Sequence, residues 1–119
     1  MCAPMAYSPL VFEALTFVEM PVFTRRLLEL LDDDDYALLQ ETLVKHPDKG
    51  KLIPGCGGIR KVRWSLGEHG KSRGARVIYY WAKPDREILF LFIYPKNEAD
   101  DLTPDQKKQL RKVIKKEYP

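Results

Sequence analysis

Basic residues are concentrated in the middle of this sequence, and their side chains are of the kind that binds phosphate. Six lie between positions 60 and 76, with Glu68 as the single intervening acid: Arg60, Lys61, Arg63, Lys71, Arg73 and Arg76. Arginine presents fixed pairs of donors to phosphate oxygens, and a lysine among other cations exchanges a proton more readily than an isolated one. This stretch therefore predicts a surface for a polyanionic partner.

Alternation of residue type indicates how part of this stretch is presented. Residues Ile59–Ser65 alternate with a period of two, which is typical of a strand and places Lys61 and Arg63 on one face. Residues Gly67–Gly74 are rich in glycine and basic residues and are predicted to form a hairpin loop, with His69 as a solvated loop residue.

The returning strand is predicted over Ala75–Lys83. On it Arg76 and Tyr80 share a face, the same face as Lys61 across the hairpin. Tyr80 is the aromatic residue of this strand that could stack on a nucleic-acid base, while its two aromatic neighbours are expected in the core.

Four elements precede the basic hairpin. The pattern predicts a short strand over Ala14–Val18, a helix over Pro21–Leu31, a second helix that the aspartate run caps and that stops by Pro47, and a loop over Pro47–Gly58. His46, at the end of the second helix, is interpreted as a C-terminal cap.

Two elements follow the hairpin. Residues Arg86–Tyr94 are apolar almost throughout, which predicts a central strand that is covered on both sides or faces a partner. The last helix opens at Thr103, with Pro104 in its first position and Gln106 where a capping box requires it. The order predicts an α+β fold: a small, curved antiparallel sheet, two N-terminal helices on one face, and a C-terminal helix.

Length and composition limit the class of protein. With 119 residues, 45% of them hydrophobic and 31% charged, the chain is expected to form one soluble domain over residues 14–119, after an extension over 1–13. No apolar run could span a membrane, and the first ten residues lack a secretory signal, so a cytoplasmic protein is expected. Cys2 and Cys56 lack zinc-site spacing, so no metal or cofactor is predicted.

Three blocks of this sequence, in this order, resemble the RelE/ParE toxins, and among them the HigB-like members most. The blocks are Gly57–Trp64 (GGIRKVRW), Gly74–Tyr80 (GARVIYY), and Ile93–Glu98 (IYPKNE) with Asp101–Thr103 (DLT). The likeness extends over residues 14 to 118. It implies a RelE-like toxin of a type II toxin–antitoxin system, a ribosome-dependent endoribonuclease that cleaves translating messenger RNA without a metal.

The resemblance also implies roles for individual residues and for partners. The catalytic positions of RelE-type members match Lys61, Arg63 and Arg76. After the last strand Asn97 replaces the usual arginine and Pro95 the commoner glycine, so Lys96 is expected to supply the charge there. The expected RNA-binding residues are Arg60, Lys71, Arg73, Tyr80 and Asn97. A small helix-turn-helix antitoxin, the ribosome and messenger RNA are the implied partners.

A second basic cluster lies on the last helix, and two other functions remain open. This cluster is interpreted as a solvated face that could also contact ribosomal RNA phosphates; it contains Lys107, Lys108, Arg111, Lys112, Lys115 and Lys116. The alternatives to a nuclease are a ParE-like inhibitor of DNA gyrase and an RNA-binding module without activity. Retention of the basic face favours the nuclease.

Overall fold

The computed structural model describes residues 15–65, 74–96 and 101–119. The predicted N-terminal extension and most of the predicted hairpin loop lie outside these ranges. The helices are α1 (Pro21–Leu30), α2 (Asp33–Lys45) and α3 (Pro104–Glu117). The strands are β1 (Thr16–Glu19), β2 (Lys51–Leu52), β3 (Ile59–Ser65), β4 (Gly74–Ala82) and β5 (Glu87–Pro95), with a 3₁₀ turn over Lys83–Asp85.

The five strands form one sheet in the order β1-β5-β4-β3-β2. The consecutive strands β3, β4 and β5 pair antiparallel, as predicted. The expectation of a wholly antiparallel sheet is wrong, because β1 pairs parallel with β5. The expectation of a continuous loop over Pro47–Gly58 is also wrong, because β2 forms a two-residue edge strand against β3.

Each face of the sheet packs against helices. On the helix-pair face, α1 and α2 bury apolar side chains against β4 and β5; the fully buried members are Phe23, Leu39, Leu43, Val77, Tyr79, Ile88, Phe90 and Ile93. On the α3 face, α3 and the segment before β3 cover a second cluster: Cys56, Ile59, Ile78, Leu89, Leu91, Tyr94, Leu102 and Ile114. The α+β architecture with helices on the sheet is therefore confirmed.

Strand β5 is the centre of this packing. Its register against β4 shifts between Ile78 and Tyr79, which pair with Phe92 and Phe90 and leave Leu91 as an extra residue. Such a bulge lets two successive residues face the same side, so Leu91 and Phe92 both pack in the α3-face cluster. The strand is covered on both faces, and the alternative that it faces a partner is wrong.

Local side-chain contacts explain where two of the helices begin. Asp32 caps α2 by accepting a hydrogen bond from the Asp35 amide at 2.8 Å. Thr103 caps α3, and the Gln106 side-chain oxygen accepts a hydrogen bond from the Thr103 amide at 2.9 Å, so the predicted capping box is present. His46 lies at the C-cap of α2, as predicted. The α3 cap fixes the segment containing Asp101 and Leu102 directly beside the sheet.

Among the helices of the described ranges, none is long and apolar enough to cross a membrane.

Candidate functional site

The hairpin of β3 and β4 brings the central basic residues together. Arg63 pairs directly with Arg76, and Lys61 pairs with Ile78 two positions further along. Residues paired across antiparallel strands project from the same face, here the α3 face. The prediction that Lys61, Arg63 and Arg76 share a face is therefore confirmed.

Arg76 is buried, whereas a surface for a polyanionic partner, as the sequence predicts, would expose its side chain. Only 6% of it is accessible, whereas Arg63 opposite is exposed. Tyr94, itself buried, pairs with Arg76 from the other side, which explains the depth. Within the described part of the chain, Nε of Arg76 has no hydrogen-bond partner. A buried donor without a partner is costly, and a bound anion would satisfy it.

Lys61 makes an ion pair that the sequence did not predict. Its Nζ lies 2.9 Å from Oδ1 of Asp101, in the segment before α3. The Lys61 side chain is 19% exposed and that of Asp101 is 77% exposed. The hydrogen bond and charge of Lys61 lower the pKa of the Asp101 carboxyl below its usual range, with further contributions from Lys107 and Arg63. Asp101 is therefore a carboxylate at neutral pH.

An open cavity of about 590 Å³ lies beside this ion pair. Its described lining comes from the edge of the sheet and from the start of α3: Lys49, Lys51, Leu52, Ile53, Pro54, Lys61, Val62, Arg63, Asp101, Leu102 and Lys107. Five of these residues are cations, and Asp101 is the one acid among them. A concave site with this balance favours an anionic ligand, because the cations reinforce one another's field.

Sequence analysis does not identify several of the residues that line the cavity, or assigns them another role. Lys49 and Lys51 lay in the predicted loop, and Lys107 was interpreted as part of a solvated helix face. The pairing of Lys51 with Lys61 places the edge-strand lysine next to the predicted catalytic lysine. A two-residue strand has too short an alternation to be found by pattern, so sequence analysis had no signal for this contact.

Two predicted RNA-binding residues lie apart from the cavity lining. Arg60 alternates to the opposite face from Lys61, and its guanidinium donates to the carbonyls of Asp48 at 3.2 Å and Gly50 at 2.8 Å. Tyr80 lies on the predicted face, but its ring packs on Tyr118 with centroids 5.4 Å apart. The structure thus gives both side chains contacts within the fold, and their RNA contacts remain predictions.

The C-terminal tyrosine, Tyr118, is held away from the cavity. Its hydroxyl donates a hydrogen bond to Oε1 of Glu87 at 2.7 Å, at the start of β5. Burial raises the pKa of Tyr118, and the hydrogen bond to Glu87 raises it further. The hydroxyl therefore stays protonated at neutral pH, engaged with Glu87.

The remaining predicted site residues lie after β5 or between β3 and β4. Lys96 is exposed, and its amide donates to the carbonyl of Gly74 at 2.8 Å, which places it at the Arg76 end of the sheet. Lys71, Arg73 and Asn97 lie outside the described residues, as does His69.

The fold is similar to that of two solved structures. The E. coli toxin RelE, in the free state as a double arginine-to-alanine mutant, gives a TM-score of 0.57 at 13% identity, over 85% of this chain and 98% of that one. A chain of the archaeal RelE–RelB complex from Pyrococcus horikoshii OT3 gives 0.51 at 20% identity, over 72% and 99%. At these identities the similarity shows a common fold.

A family comparison goes further than the fold. The profile described as the RelE toxin of the RelE/RelB toxin–antitoxin system matches residues 35–118, a range that contains both strands of the basic hairpin, the ion pair and α3. The match extends over well more than half of the 119 residues. This chain therefore belongs to the RelE toxin family.

Proposed function

We propose that this toxin is a metal-independent endoribonuclease that cleaves messenger RNA during translation in the cytoplasm, and that a cognate antitoxin holds it inactive. The observation that carries the proposal is the Arg63–Arg76 pair, in which a buried guanidinium has a donor that no described residue satisfies. A phosphate oxygen is the acceptor that an arginine in this position suits best.

The reaction that suits such a site uses the RNA's own 2′-hydroxyl. The 2′-oxygen attacks the adjacent phosphorus, the bond from phosphorus to the 5′-oxygen breaks, and a 2′,3′-cyclic phosphate and a 5′-hydroxyl result. Water in the open cavity takes the proton from the 2′-oxygen, and the Lys61 ammonium delivers one to the 5′-oxygen. Arg63 and Arg76 would stabilise the charge of the phosphorane, and Lys61 would be the ammonium nearest to the leaving oxygen.

The composition of the cavity lining supports the proposed dependence on the ribosome. Neither a histidine nor a tyrosine is present among the described residues that line it, so the lining offers charge stabilisation more than strong base catalysis. Alignment of the 2′-oxygen with the scissile bond can supply about 7–11 kcal/mol of a barrier. A ribosome that holds the message in that geometry would contribute this part.

The antitoxin proposal rests on family membership and on surface charge. A related fold occurs in the RelE–RelB complex from P. horikoshii OT3. A surface with five cations around one cavity also suits an acidic segment that would cover it. We propose a small helix-turn-helix protein encoded beside this chain, within the HigB-like branch that the sequence resembles.

Cleavage is tested with purified protein on matched substrates. The same message is presented naked or on programmed ribosomes, and its new 5′ ends are mapped, with Arg76→Lys as the matched variant. We expect internal cuts in translated frames on ribosomes, few cuts in naked RNA, and cyclic phosphate at the upstream ends. Intact messages with inhibited DNA supercoiling would instead indicate a gyrase inhibitor, and retention of RNA without cuts would indicate a binding module.

A further inference from the structure

The cavity continues beyond the basic hairpin to the edge of the sheet. Lys51 of β2 pairs with Lys61, so their Cβ atoms are neighbours at about 4.5–5.5 Å on one face. Lys49 lies just before this strand, and Lys107, in the first turns of α3, lines the same cavity. Three cations from two separate elements thus line the cavity in addition to Lys61 and Arg63.

The same cavity has an apolar wall. Leu52, Ile53 and Pro54 follow Lys51 directly and line the cavity. Ile53 is half-buried against the α3-face cluster and Pro54 beside it is exposed, so both offer apolar surface on the side of the cavity. Phosphates need cations, and bases need an apolar surface to pack on, so the two walls together match the two halves of a nucleotide.

The volume is appropriate for such a ligand. Sites that hold small molecules and cofactors enclose about 300–1,000 Å³, and this cavity measures about 590 Å³. It is larger than a single phosphate bound at Arg63 and Lys61 would need. The lining beyond those two residues includes the β2 lysines and Lys107.

We propose that the β2 side of the cavity is a subsite for the nucleotide next to the scissile phosphate. Lys49, Lys51 and Lys107 bind its phosphate, and its base packs on Ile53 and Pro54. This inference rests on the proposed nuclease function, since the scissile phosphate defines the neighbouring position. It assigns to edge strand β2 the role of holding the RNA strand on one side of the cut.

The arrangement favours RNA over an acidic polypeptide as the ligand of this subsite. Arg63 and Lys61 are successive cations on one face of β3, and Lys51 lies directly across from Lys61 on β2, so the three are neighbours, as suits a backbone with one charge per nucleotide. The apolar wall beside these cations offers a surface for the base that each phosphate carries. An acidic peptide would bind to the cations but would not require an apolar wall beside them.

The subsite is tested by binding, independently of cleavage. The probe is a fluorescent hexanucleotide of RNA with 2′-O-methyl groups, which cannot attack its own phosphates. The variant Lys49→Gln/Lys51→Gln removes two cations from the subsite, and Arg25→Gln/Lys83→Gln removes two exposed cations that do not line the cavity. Lys51→Arg, which keeps the charge, is the rescue variant, and thermal melting verifies that each variant folds.

Each lost phosphate contact lowers the slope of log affinity against log salt by about 0.7. The loss of affinity in the β2 variant, measured against the parent, should therefore be about 5- to 25-fold larger at 0.1 M salt than at 1 M. The matched control should change binding less than twofold, and Lys51→Arg should bind like the parent. Equal losses in the β2 variant and the control would overturn the proposal.

The base contact is tested separately. Ile53→Ala should weaken binding of the hexanucleotide and leave binding of an abasic strand of the same length unchanged. An equal effect on both strands would rule out a base on this wall. Loss of poly-L-glutamate binding with unchanged RNA binding in the β2 variant would assign the surface to an acidic polypeptide and overturn the proposal. Failure of the nuclease function would appear only in the cleavage assay, since the binding assay requires no chemistry.

Discussion

The Lys61 ammonium and the Asp101 carboxylate lie 2.9 Å apart, although 40 residues separate them in sequence. Asp101 thus occupies an anion position within the cationic cavity. A phosphate that approaches Lys61 has to displace this carboxylate or share the lysine with it. The ion pair therefore sets how much of the charge of Lys61 is available to a ligand.

We expect Asp101→Asn to tighten binding of non-cleavable RNA about two- to fivefold, the range typical of an exposed ion pair. The measurement is fluorescence anisotropy at several salt concentrations, with Asp105→Asn, an exposed acid on α3 outside the cavity lining, as the control. Unchanged RNA affinity in Asp101→Asn would contradict competition between the carboxylate and phosphate. Loss of cleavage with unchanged affinity would instead show that Asp101 acts in the chemical step.

The pH dependence of this effect follows from the lowered pKa of Asp101. Because Lys61, and then Lys107 and Arg63, favour the charged form, the carboxylate is protonated only below the usual range of an aspartate. The ion pair is thus complete above that range and is lost as the pH falls through the lowered pKa. The affinity ratio between Asp101→Asn and the parent should stay constant from pH 5 to pH 8, and a ratio that changes there would show that another group titrates.

We predict that Arg76 increases the rate of cleavage and lowers the stability of the fold. Arg76→Met keeps most of the buried volume and removes the charge, so cleavage should slow by about 10² to 10³, the loss typical of one preorganised donor. Since a buried charge without full compensation is unfavourable, the variant should be at least as stable as the parent. Single-turnover cleavage on saturating ribosomes and urea unfolding measure the two effects.

Arg76→Lys is the companion variant, because it keeps the charge without the paired donors and should recover only part of the rate. If Arg76→Met unfolds more easily than the parent, then the guanidinium has a structural role in the sheet. If it cleaves at the parent's rate, Arg76 has no part in the reaction.

Arg60 is predicted to stabilise the fold more than it binds RNA. Its guanidinium holds the carbonyls of Asp48 and Gly50, so Arg60→Met should lower the free energy of unfolding by about 1–2 kcal/mol. The salt slope of RNA binding should not change beyond that of the exposed-charge control Arg25→Gln. A slope lower by about 0.7 would show a phosphate contact and restore the sequence-based interpretation.

The comparison between Arg60 and Lys61 shows where sequence reasoning succeeds. Strand alternation correctly placed Lys61, Arg63 and Arg76 on one face, because a period of two fixes side-chain direction in a sheet. The same alternation places Arg60 on the other face, and grouping it by charge alone obscured that. Direction along a strand is local information, and it was sufficient for the basic face.

The burial of a side chain and its contacts with residues distant in sequence cannot be predicted from the pattern of neighbouring residues. Arg76 is buried because Tyr94 pairs beside it, and Asp101 meets Lys61 only because the α3 cap lies next to the sheet. The parallel pairing of β1 with β5 likewise depends on which sheet edge remained free. Helix and strand periods, caps and turns predicted the elements, but these contacts depend on how the elements assemble.

The hydroxyl of Tyr79 supports the turn that leads to β2. Its hydroxyl donates to the carbonyl of Pro47 at 2.7 Å and accepts from the amide of Gly50 at 2.9 Å, and its ring is fully buried. Tyr79→Phe leaves both backbone groups without this partner, so we expect a loss of about 1–3 kcal/mol in unfolding free energy.

Burial raises the pKa of Tyr79, which favours the protonated hydroxyl in the folded state. A raised folded-state pKa means that the associated stability is present below about pH 10, the ordinary value for tyrosine, and is lost as the pH rises beyond it. Urea unfolding between pH 7 and pH 11 should therefore show a steeper alkaline loss in the parent than in Tyr79→Phe. Equal slopes in the two proteins would show that Tyr79 is not the group responsible, while equal stabilities at pH 7 would show that the turn does not depend on its hydroxyl.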